Sequence, residues 1–254
     1  MGAIKDSVVD GGGSSLQRYQ DAIIGSRSKL FLLRYELTQL LTRGCPGALG
    51  LLLRQKLVAP LLGDCGRGLA MGSGVVLRHP KRIVLGDGVV LDDNCCLDAN
   101  SDQEVGIRIG SRSMFGHTTR VCSKLGTVSI GSNCGFGAGI TVHSSVGGSV
   151  TIGDNCLVAG NCYLGGGQYH TERTDIPIVE QGHISGQHLT IGDNCWIGAG
   201  AVVINGVRLG RDVIVAAGAV VTRDVPDFAI VGGVPAKVLR VREPERAEAT
   251  HAAV

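Results

Sequence analysis

Apolar residues recur at every sixth position along most of the chain, in runs of three positions separated by short polar insertions. The residue that follows is Gly, Ala or Asp in fourteen of eighteen cases. Two correlated columns at one period indicate an internal repeat. The eighteen apolar positions are Leu85, Leu91, Leu97, Ile109, Phe115, Val121, Ile130, Phe136, Val142, Ile152, Val158, Leu164, Ile191, Ile197, Val203, Leu209, Val215 and Val221.

A period of six fits neither the 3.6 residues of a helical turn nor the plain alternation of a long strand, but it suits a short strand followed by a turn. We expect glycine to relieve the backbone at the corners. Three units would make one coil, and coils stacked at ~4.8 Å would form a prism. The apolar residues of successive coils would stack inside it as ladders of aliphatic side chains. The coils are expected over residues 83–224, with insertions at 101–106, 125–127, 146–149 and 168–188. An aromatic content of only 4% agrees with so narrow an interior.

Five of the nine cysteines stand four residues after a ladder position, at Cys95, Cys134, Cys156, Cys162 and Cys195. We expect them to pack at small inward corners, where Cys behaves as a compact hydrophobe. The start of the sequence lacks the apolar core of a signal peptide. A disulfide framework is therefore not expected, and a reducing cytoplasm is the expected location.

The region before the coils has a helical pattern over residues 14–43, with Ser14 and Gln17 placed for a capping box. A second, shorter helix is expected to end near Pro60. The segment is both basic and apolar, which favours either peripheral membrane contact or helices packed on the coils or on a neighbouring subunit. Its longest apolar run, residues 44–53, is too short to cross a bilayer.

The predicted organisation is therefore a flexible tail, a helical segment, a coiled domain and a polar tail, at residues 1–13, 14–64, 65–240 and 241–254. Lys and Arg number 24 against 22 Asp and Glu, so the net charge is +2. That balance gives no basic field of the kind a general nucleic-acid binder needs. Nucleic acid is therefore not an expected partner.

The segment Ile191-Gly-Asp-Asn-Cys-Trp-Ile-Gly-Ala-Gly-Ala-Val-Val resembles the hexapeptide-repeat acyltransferases, and the likeness extends from about residue 65 to 240. The galactoside, maltose and polysaccharide O-acetyltransferases are members of that family. The resemblance implies a mainly β fold, a left-handed parallel β-helix, with an N-terminal α-helical segment. It also implies an enzyme that takes acetyl-coenzyme A, or another acyl-coenzyme A, as co-substrate and needs no metal.

In that family a histidine in a loop upstream of the Ile-Gly-Asp-Asn-x-Trp-Ile-Gly segment is the catalytic base, and His170 matches it by position. It would take the proton of an acceptor hydroxyl as that oxygen attacks the thioester carbonyl. The acceptor would be a sugar or another small metabolite. Glu172, Asp175 or a backbone carbonyl could orient the imidazole, and the sequence does not choose among them.

The resemblance places the coenzyme A site in the last coils. Lys and Arg suit its phosphates, and small alanines leave room for the pantetheine arm. Trp196 is expected to point outward and to be covered by a ligand, here taken as the acceptor, or by a neighbouring subunit. Family members are mostly homotrimers, which implies that His170 of one chain faces donor-site residues of another. The matched donor-site residues are Ala199, Ala217, Thr222, Arg223, Lys237 and Arg240.

Three other interpretations stay open. The acceptor could be an amine, as in N-acetyltransferases. His183 and His188 form a spaced pair like one that binds zinc in the gamma-class carbonic anhydrases, although no third histidine has matching spacing. The coils could also be a scaffold without catalysis.

His117 and His143 fall on regular coil positions and are expected at the surface.

Overall fold

The chain winds through a parallel β-helix of three sheets, preceded by a helical segment, in a computed structural model that describes residues 13–243. Residues 1–12 and 244–254, and with them most of the two predicted tails, lie outside the described residues.

Successive short strands pass from one sheet to the next, so that each sheet receives one strand from every coil. Sheet A contains β1 Asp64–Cys65, β4 Ile83–Leu85, β7 Ile107–Ile109, β10 Thr127–Ile130, β13 Ser149–Ile152, β18 His188–Ile191 and β21 Arg208–Leu209. Sheet B contains β2 Ala70–Met71, β5 Val90–Leu91, β8 Met114–Phe115, β11 Gly135–Phe136, β14 Leu157–Val158, β19 Trp196–Ile197, β22 Ile214–Val215, β24 Ala229–Gly233 and β25 Ala236–Val241. Sheet C contains β3 Val76–Arg78, β6 Cys96–Asn100, β9 Arg120–Lys124, β12 Thr141–His143, β15 Tyr163–Gly165, β20 Val202–Ile204 and β23 Val220–Val221.

All pairings between coils are parallel, and only the terminal β24–β25 hairpin of sheet B is antiparallel within these sheets. The ladders keep one register throughout, as in β13 and β18, where Ile152 lies beside Ile191. The predicted coil fold is therefore confirmed. A first coil, β1 to β3, precedes the earliest apolar triplet of the repeat.

The eighteen repeat positions all lie in the core and are almost inaccessible to solvent. Two of the few aromatic side chains, Phe115 and Phe136, stack in successive coils with ring centroids 4.6 Å apart. Stacked ladders of this kind bury apolar area continuously along the prism axis, which stabilises each coil through its neighbours.

The glycines after the ladder positions have a different role from the one expected. Gly192 is not in the left-handed region, but a Cβ there would lie 2.7 Å from the backbone nitrogen of Arg211 in the next coil. Residues at this position are small because the backbones of neighbouring coils approach closely there. The left-handed residues come two positions further on, as at Asn155 and Asn194, where φ is 59° and 55°. Asn tolerates that conformation better than most residues.

The five corner cysteines are buried, as predicted, and their thiols donate weak hydrogen bonds to carbonyls of the following coil. Cys134 Sγ lies 3.2 Å from the Gly153 carbonyl oxygen, and Cys156 Sγ lies 3.2 Å from that of Gly192. Burial raises the pKa of the Cys95 thiol to about 11. These thiols therefore pack in the core and donate to the next coil.

The N-terminal segment consists of α1 Ser15–Tyr19, a π-helical turn Gln20–Ile24, α2 Lys29–Thr42, α3 Gly47–Val58 and a 3₁₀ turn Ala59–Leu61. The Ser14 and Gln17 capping box is present. The first predicted helix is interrupted at Gly25, whose φ is +66°, and Ser28 caps the new start at α2. A residue with positive φ ends a helix, and the sequence pattern did not reveal it.

One side of α2 and α3 packs on the first coils. Tyr35 Oη donates to the Leu77 carbonyl oxygen at 2.8 Å, and Arg54 Nε donates to that of Met71 at 2.7 Å. Arg54 is buried and also donates to the carbonyls of Thr42 and Cys45. Among the described helices, none combines the length and hydropathy needed to span a bilayer.

Candidate functional site

The longest excursion from the coils, residues 168–188, begins where sheet C gives way to sheet A after β15 and returns at the start of β18. Inside it, β16 Gln168–Tyr169 and β17 His183–Ile184 form a small antiparallel ribbon. The Tyr169 and His183 rings are in contact, with centroids 4.3 Å apart. A 3₁₀ turn, Ile178–Glu180, lies at the far end.

His170 lies directly after the first strand of this ribbon. Its backbone N–H donates to the Gly182 carbonyl oxygen at 3.1 Å, which extends the ribbon by one more bond. Further out, the Gln181 side chain spans the loop, donating to the Arg173 carbonyl at 2.7 Å and accepting from the Arg173 N–H at 3.1 Å. The backbone that carries His170 is thus held on both sides by hydrogen bonds.

The His170 imidazole projects into solvent with 48% of its side chain exposed. Its Nδ1 lies 3.4 Å from a carboxylate oxygen of Glu172. The backbone N–H of Glu172 and then the imidazole lower the pKa of this carboxyl. Asp175 is engaged elsewhere, because Arg173 Nε donates to its Oδ1 at 3.0 Å and lowers the pKa of that carboxyl. Glu172 is therefore the carboxylate that contacts His170.

The root of the loop is fastened by buried polar side chains. Asn205, which is almost fully buried in the corner of the next coil, donates from Nδ2 to the Gly166 carbonyl oxygen. Ser145, buried in the corner of the preceding coil, donates to the Gln187 carbonyl at 2.9 Å. The start and the end of the excursion are thus each tied to a neighbouring coil.

The donor-site residues lie at three places on one chain. Ala199 and Ala217 are exposed one above the other at the corner between sheets B and C, where the Gly218 N–H donates to the Ala199 carbonyl at 2.8 Å. Thr222 and Arg223 follow β23, at the same sheet C to sheet A corner as the loop, two coils further on. The two remaining cationic residues, Lys237 and Arg240, are exposed on β25 of sheet B.

Trp196 projects outward from sheet B, as predicted, with 53% of its surface accessible. It lies between Leu157 and Ile214 in the ladder, and Leu157 and Met114 are also exposed on this sheet. An apolar column therefore runs along the outside of sheet B.

The other histidines have ordinary contacts. His188 belongs to β18, and not to the loop, and its Nδ1 is 2.9 Å from Ser149 Oγ. His117 is exposed as expected, whereas His143 is half-buried. Within residues 13–243, no group of three or more His, Cys, Asp or Glu side chains is arranged to hold a metal ion.

Several residues that shape the site gave no signal in the sequence. Asn205, Gln181 and Gln187 follow no periodic column, and they bond to Gly166, Arg173 and Gln168, which lie 39, 8 and 19 positions away in the chain. The signals that pointed to this region were the length of the excursion and the position of His170.

A family model described as the hexapeptide repeat of succinyl-transferase matches residues 127–165 and 188–223, on either side of the loop. Galactoside O-acetyltransferase of Escherichia coli is 38% identical over 94 residues, which are 36% of this chain and 44% of that protein. The 2,3,4,5-tetrahydropyridine-2,6-dicarboxylate N-acetyltransferase of Staphylococcus aureus is 54% identical over 56 residues, or 22% of this chain and 23% of that one. The chain spans about half the length, or less, of these curated relatives.

Solved structures are also similar at low sequence identity. A maltose O-acetyltransferase from Clostridium difficile aligns with TM-score 0.41 and 19% identity, covering 94% of this chain and 97% of that one. A galactoside acetyltransferase in complex with coenzyme A aligns with TM-score 0.40 and 17% identity, covering 91% and 92%.

The six-residue period, the three-sided coil that it forms and the family model that matches both sides of the loop have one explanation. Residues 127–165 and 188–223 are similar to the hexapeptide repeat that this family model describes.

Proposed function

We propose that the protein is an acyltransferase that moves an acetyl group from acetyl-coenzyme A to a hydroxyl of a small, sugar-like acceptor. The observation that supports this most strongly is the position of His170. It stands on a hydrogen-bonded ribbon that leaves the coil between the two segments matched by the family model. A rigid scaffold that presents one loop with an accessible imidazole is a common arrangement for catalysis.

In the proposed reaction, Nδ1 of His170 faces Glu172, so Nε2 is the atom that accepts the proton of the acceptor hydroxyl. The hydroxyl oxygen attacks the thioester carbonyl carbon, and a new C–O bond forms. The C–S bond then breaks, and the imidazolium returns the proton to the departing thiolate. The products are the acetyl ester and free coenzyme A.

The donor would lie along the late coils. Ala199 and Ala217 leave a smooth wall for the pantetheine arm, and Thr222, Arg223, Lys237 and Arg240 would bind its polar end and phosphates. Since these residues occupy several sides of one prism, we propose a homotrimer in which His170 of one chain meets the donor wall of a neighbour. Trp196 would then contact the acceptor. The proposed location is the cytoplasm, where acetyl-coenzyme A is made available.

The test is release of coenzyme A thiol from acetyl-coenzyme A in the presence of sugars, sugar nucleotides and alcohols. His170→Ala is expected to lower turnover by ~10²–10⁴-fold without changing the melting temperature. His117→Ala is the matched control, because His117 is an exposed histidine on a regular coil. Equal turnover by the His170 variant and the wild type would refute this site.

A second candidate is transfer to an amine, which the similarity to an N-acetyltransferase over 56 residues favours. The same assay with amino sugars and amino acids distinguishes the two acceptors. An amide product and no ester would replace the O-acetyl proposal, while leaving the role of His170 to be judged by its variant.

A further inference from the structure

Helix α2 has a buried side and an exposed, apolar side. One side, which includes Tyr35 and Thr38, is buried against the coils. The opposite side has leucines at positions 30, 33, 37, 40 and 41, all exposed, with Leu30 at 78% and Leu40 at 80%. Spacings of three and four residues place these leucines on one stripe of the helix. Packing on the coil therefore leaves these five leucines of α2 uncovered.

Helix α3 continues this apolar surface. Leu49 and Leu52 are exposed on it, and Lys56 lies one turn after Leu52. A groove of about 540 Å³ runs between the two helices. We call the exposed leucines of α2 and α3 together with this groove the leucine face. The groove is lined by Leu30, Leu33, Arg34, Leu37, Thr38, Leu41, Lys56 and Leu57.

Positive charge surrounds the leucine face. Residues 13–62 contain seven Lys and Arg but only two Asp and Glu, although the whole chain has a net charge of only +2. Both acids already have partners: Asp21 pairs with Arg27 at 2.8 Å, and Glu36 accepts from Tyr19 Oη at 2.6 Å. Arg54 is turned inward. The exposed cations left in this segment are Lys29, Arg34, Arg43 and Lys56, and Arg18 is half-buried.

We infer that the leucine face rests on an anionic lipid bilayer. An apolar helical surface with flanking Lys and Arg lies in the plane of a membrane interface, with its leucines among the acyl chains and its cations at the headgroups. Neither helix can span a bilayer, so the contact is peripheral. The inference does not depend on the proposed reaction, because the coils and the loop are not part of this face.

The charge distribution favours a membrane over a second copy of the chain. Two identical leucine faces would bring Arg34 and Lys56 of one copy toward the same cations of the other, and like charges repel. An anionic headgroup layer has the complementary charge. Self-association through these helices is therefore the competing outcome.

The experiment is flotation of the full chain with vesicles of phosphatidylcholine alone or with added phosphatidylglycerol. The wild type is expected to float with the anionic vesicles and to bind them more weakly as salt is added. Leu33→Ser combined with Leu37→Ser, and separately Arg34→Glu combined with Lys56→Glu, should each weaken binding at least about tenfold. Met114→Ser and Arg108→Glu, exposed positions on the coils, are matched controls that should bind as the wild type does.

Circular dichroism and the melting temperature of each variant show whether it is folded, and light scattering gives its oligomeric mass. Failure of the folded wild type to bind anionic vesicles would overturn the inference. It would also be overturned if the serine variant bound vesicles normally but lost an oligomer, since the face would then be covered by a second copy. Thiol release on a soluble acceptor, measured separately, keeps a failed membrane test distinct from a failed reaction.

Discussion

Asn205 donates its side-chain amide hydrogen to the backbone carbonyl of Gly166, thirty-nine positions earlier in the chain. Gly166 is the second residue of the glycine triplet through which the chain leaves the coil toward His170. One buried side chain of the next coil therefore fixes the direction in which the excursion departs.

Asn205→Ala is expected to leave a buried carbonyl without its donor and to lower the unfolding free energy by about 1–3 kcal/mol. Displacement of the ribbon should also reduce turnover by about ten- to a hundredfold, since small errors in position are costly in catalysis. Urea unfolding and the thiol-release assay measure the two effects. Gln103→Ala, an exposed amide, is the control. Wild-type values for both quantities would contradict the assigned role.

Glu172→Gln tests the contact with His170. The amide cannot balance an imidazolium, so turnover should fall, but by no more than about fivefold because the pair is open to solvent. Asp175→Asn is the matched comparison, and it should leave turnover unchanged because Asp175 pairs with Arg173. Steady-state kinetics on both variants decides the matter. A larger loss from Asp175→Asn would reverse the assignment.

Arg54→Ala removes the guanidinium that joins α3 to three carbonyls, those of Thr42, Cys45 and Met71. We expect a loss of about 2–4 kcal/mol in unfolding free energy, because several buried acceptors lose their donor together. Lys56→Ala, an exposed cation on the same helix, should cost much less. Denaturant unfolding of the two variants side by side provides the measurement, and similar losses would mean that Arg54 is not a structural link.

His143 gives the fold a pH dependence. Burial lowers its pKa, and Lys124 and Arg120 lower it further, so the native state keeps the ring neutral where the unfolded chain takes up a proton. Stability from this residue is complete above the usual histidine pKa of about 6.5 and declines as the pH falls below it. Unfolding midpoints between pH 8 and 5 should fall less steeply for His143→Gln than for the wild type. His117→Gln should retain the wild-type slope.

The thiols should divide into two groups by accessibility. Cys45, Cys65 and Cys96 are half-buried, whereas the other six are buried. An aromatic disulfide reagent at pH 8 is expected to modify about three thiols of the native protein quickly and all nine after denaturation. Rapid reaction of the six buried thiols in the folded protein would show that the coils open readily.

The sequence was enough to predict the ladders of the coils, but it was not enough to predict the contacts of Asn205 and Arg54. Ladder residues such as Ile152 and Ile191 repeat a local requirement, burial at one position of every unit, so a period in the sequence reveals them. The partnership of Asn205 with Gly166 and the burial of Arg54 depend on which backbone groups end in the interior without donors. These contacts form only after the coils are stacked, and no local sequence pattern encodes them.

The position after each ladder residue is rich in glycine, but the physical reason for this differs from the one expected. Gly192 is needed because the next coil passes too close for a Cβ, and the unusual backbone conformation falls on Asn194. Composition cannot separate these causes, since both favour small residues. Likewise, the leucines of α2 were visible in the sequence, but only the structure shows that they face away from the coils.

The pairing of Ser149 with His188 joins neighbouring coils in register, as though nothing intervened between β15 and β18. The excursion, residues 168–188, is thus an insertion that leaves the stacking of the coils unchanged. Replacing residues 166–187 with the compact corner 144–148 should yield a protein that still forms the β-helix and unfolds cooperatively. It should no longer catalyse acetyl transfer. Substrate preference could then be rewritten by transplanting that one segment between relatives, with the architecture left alone.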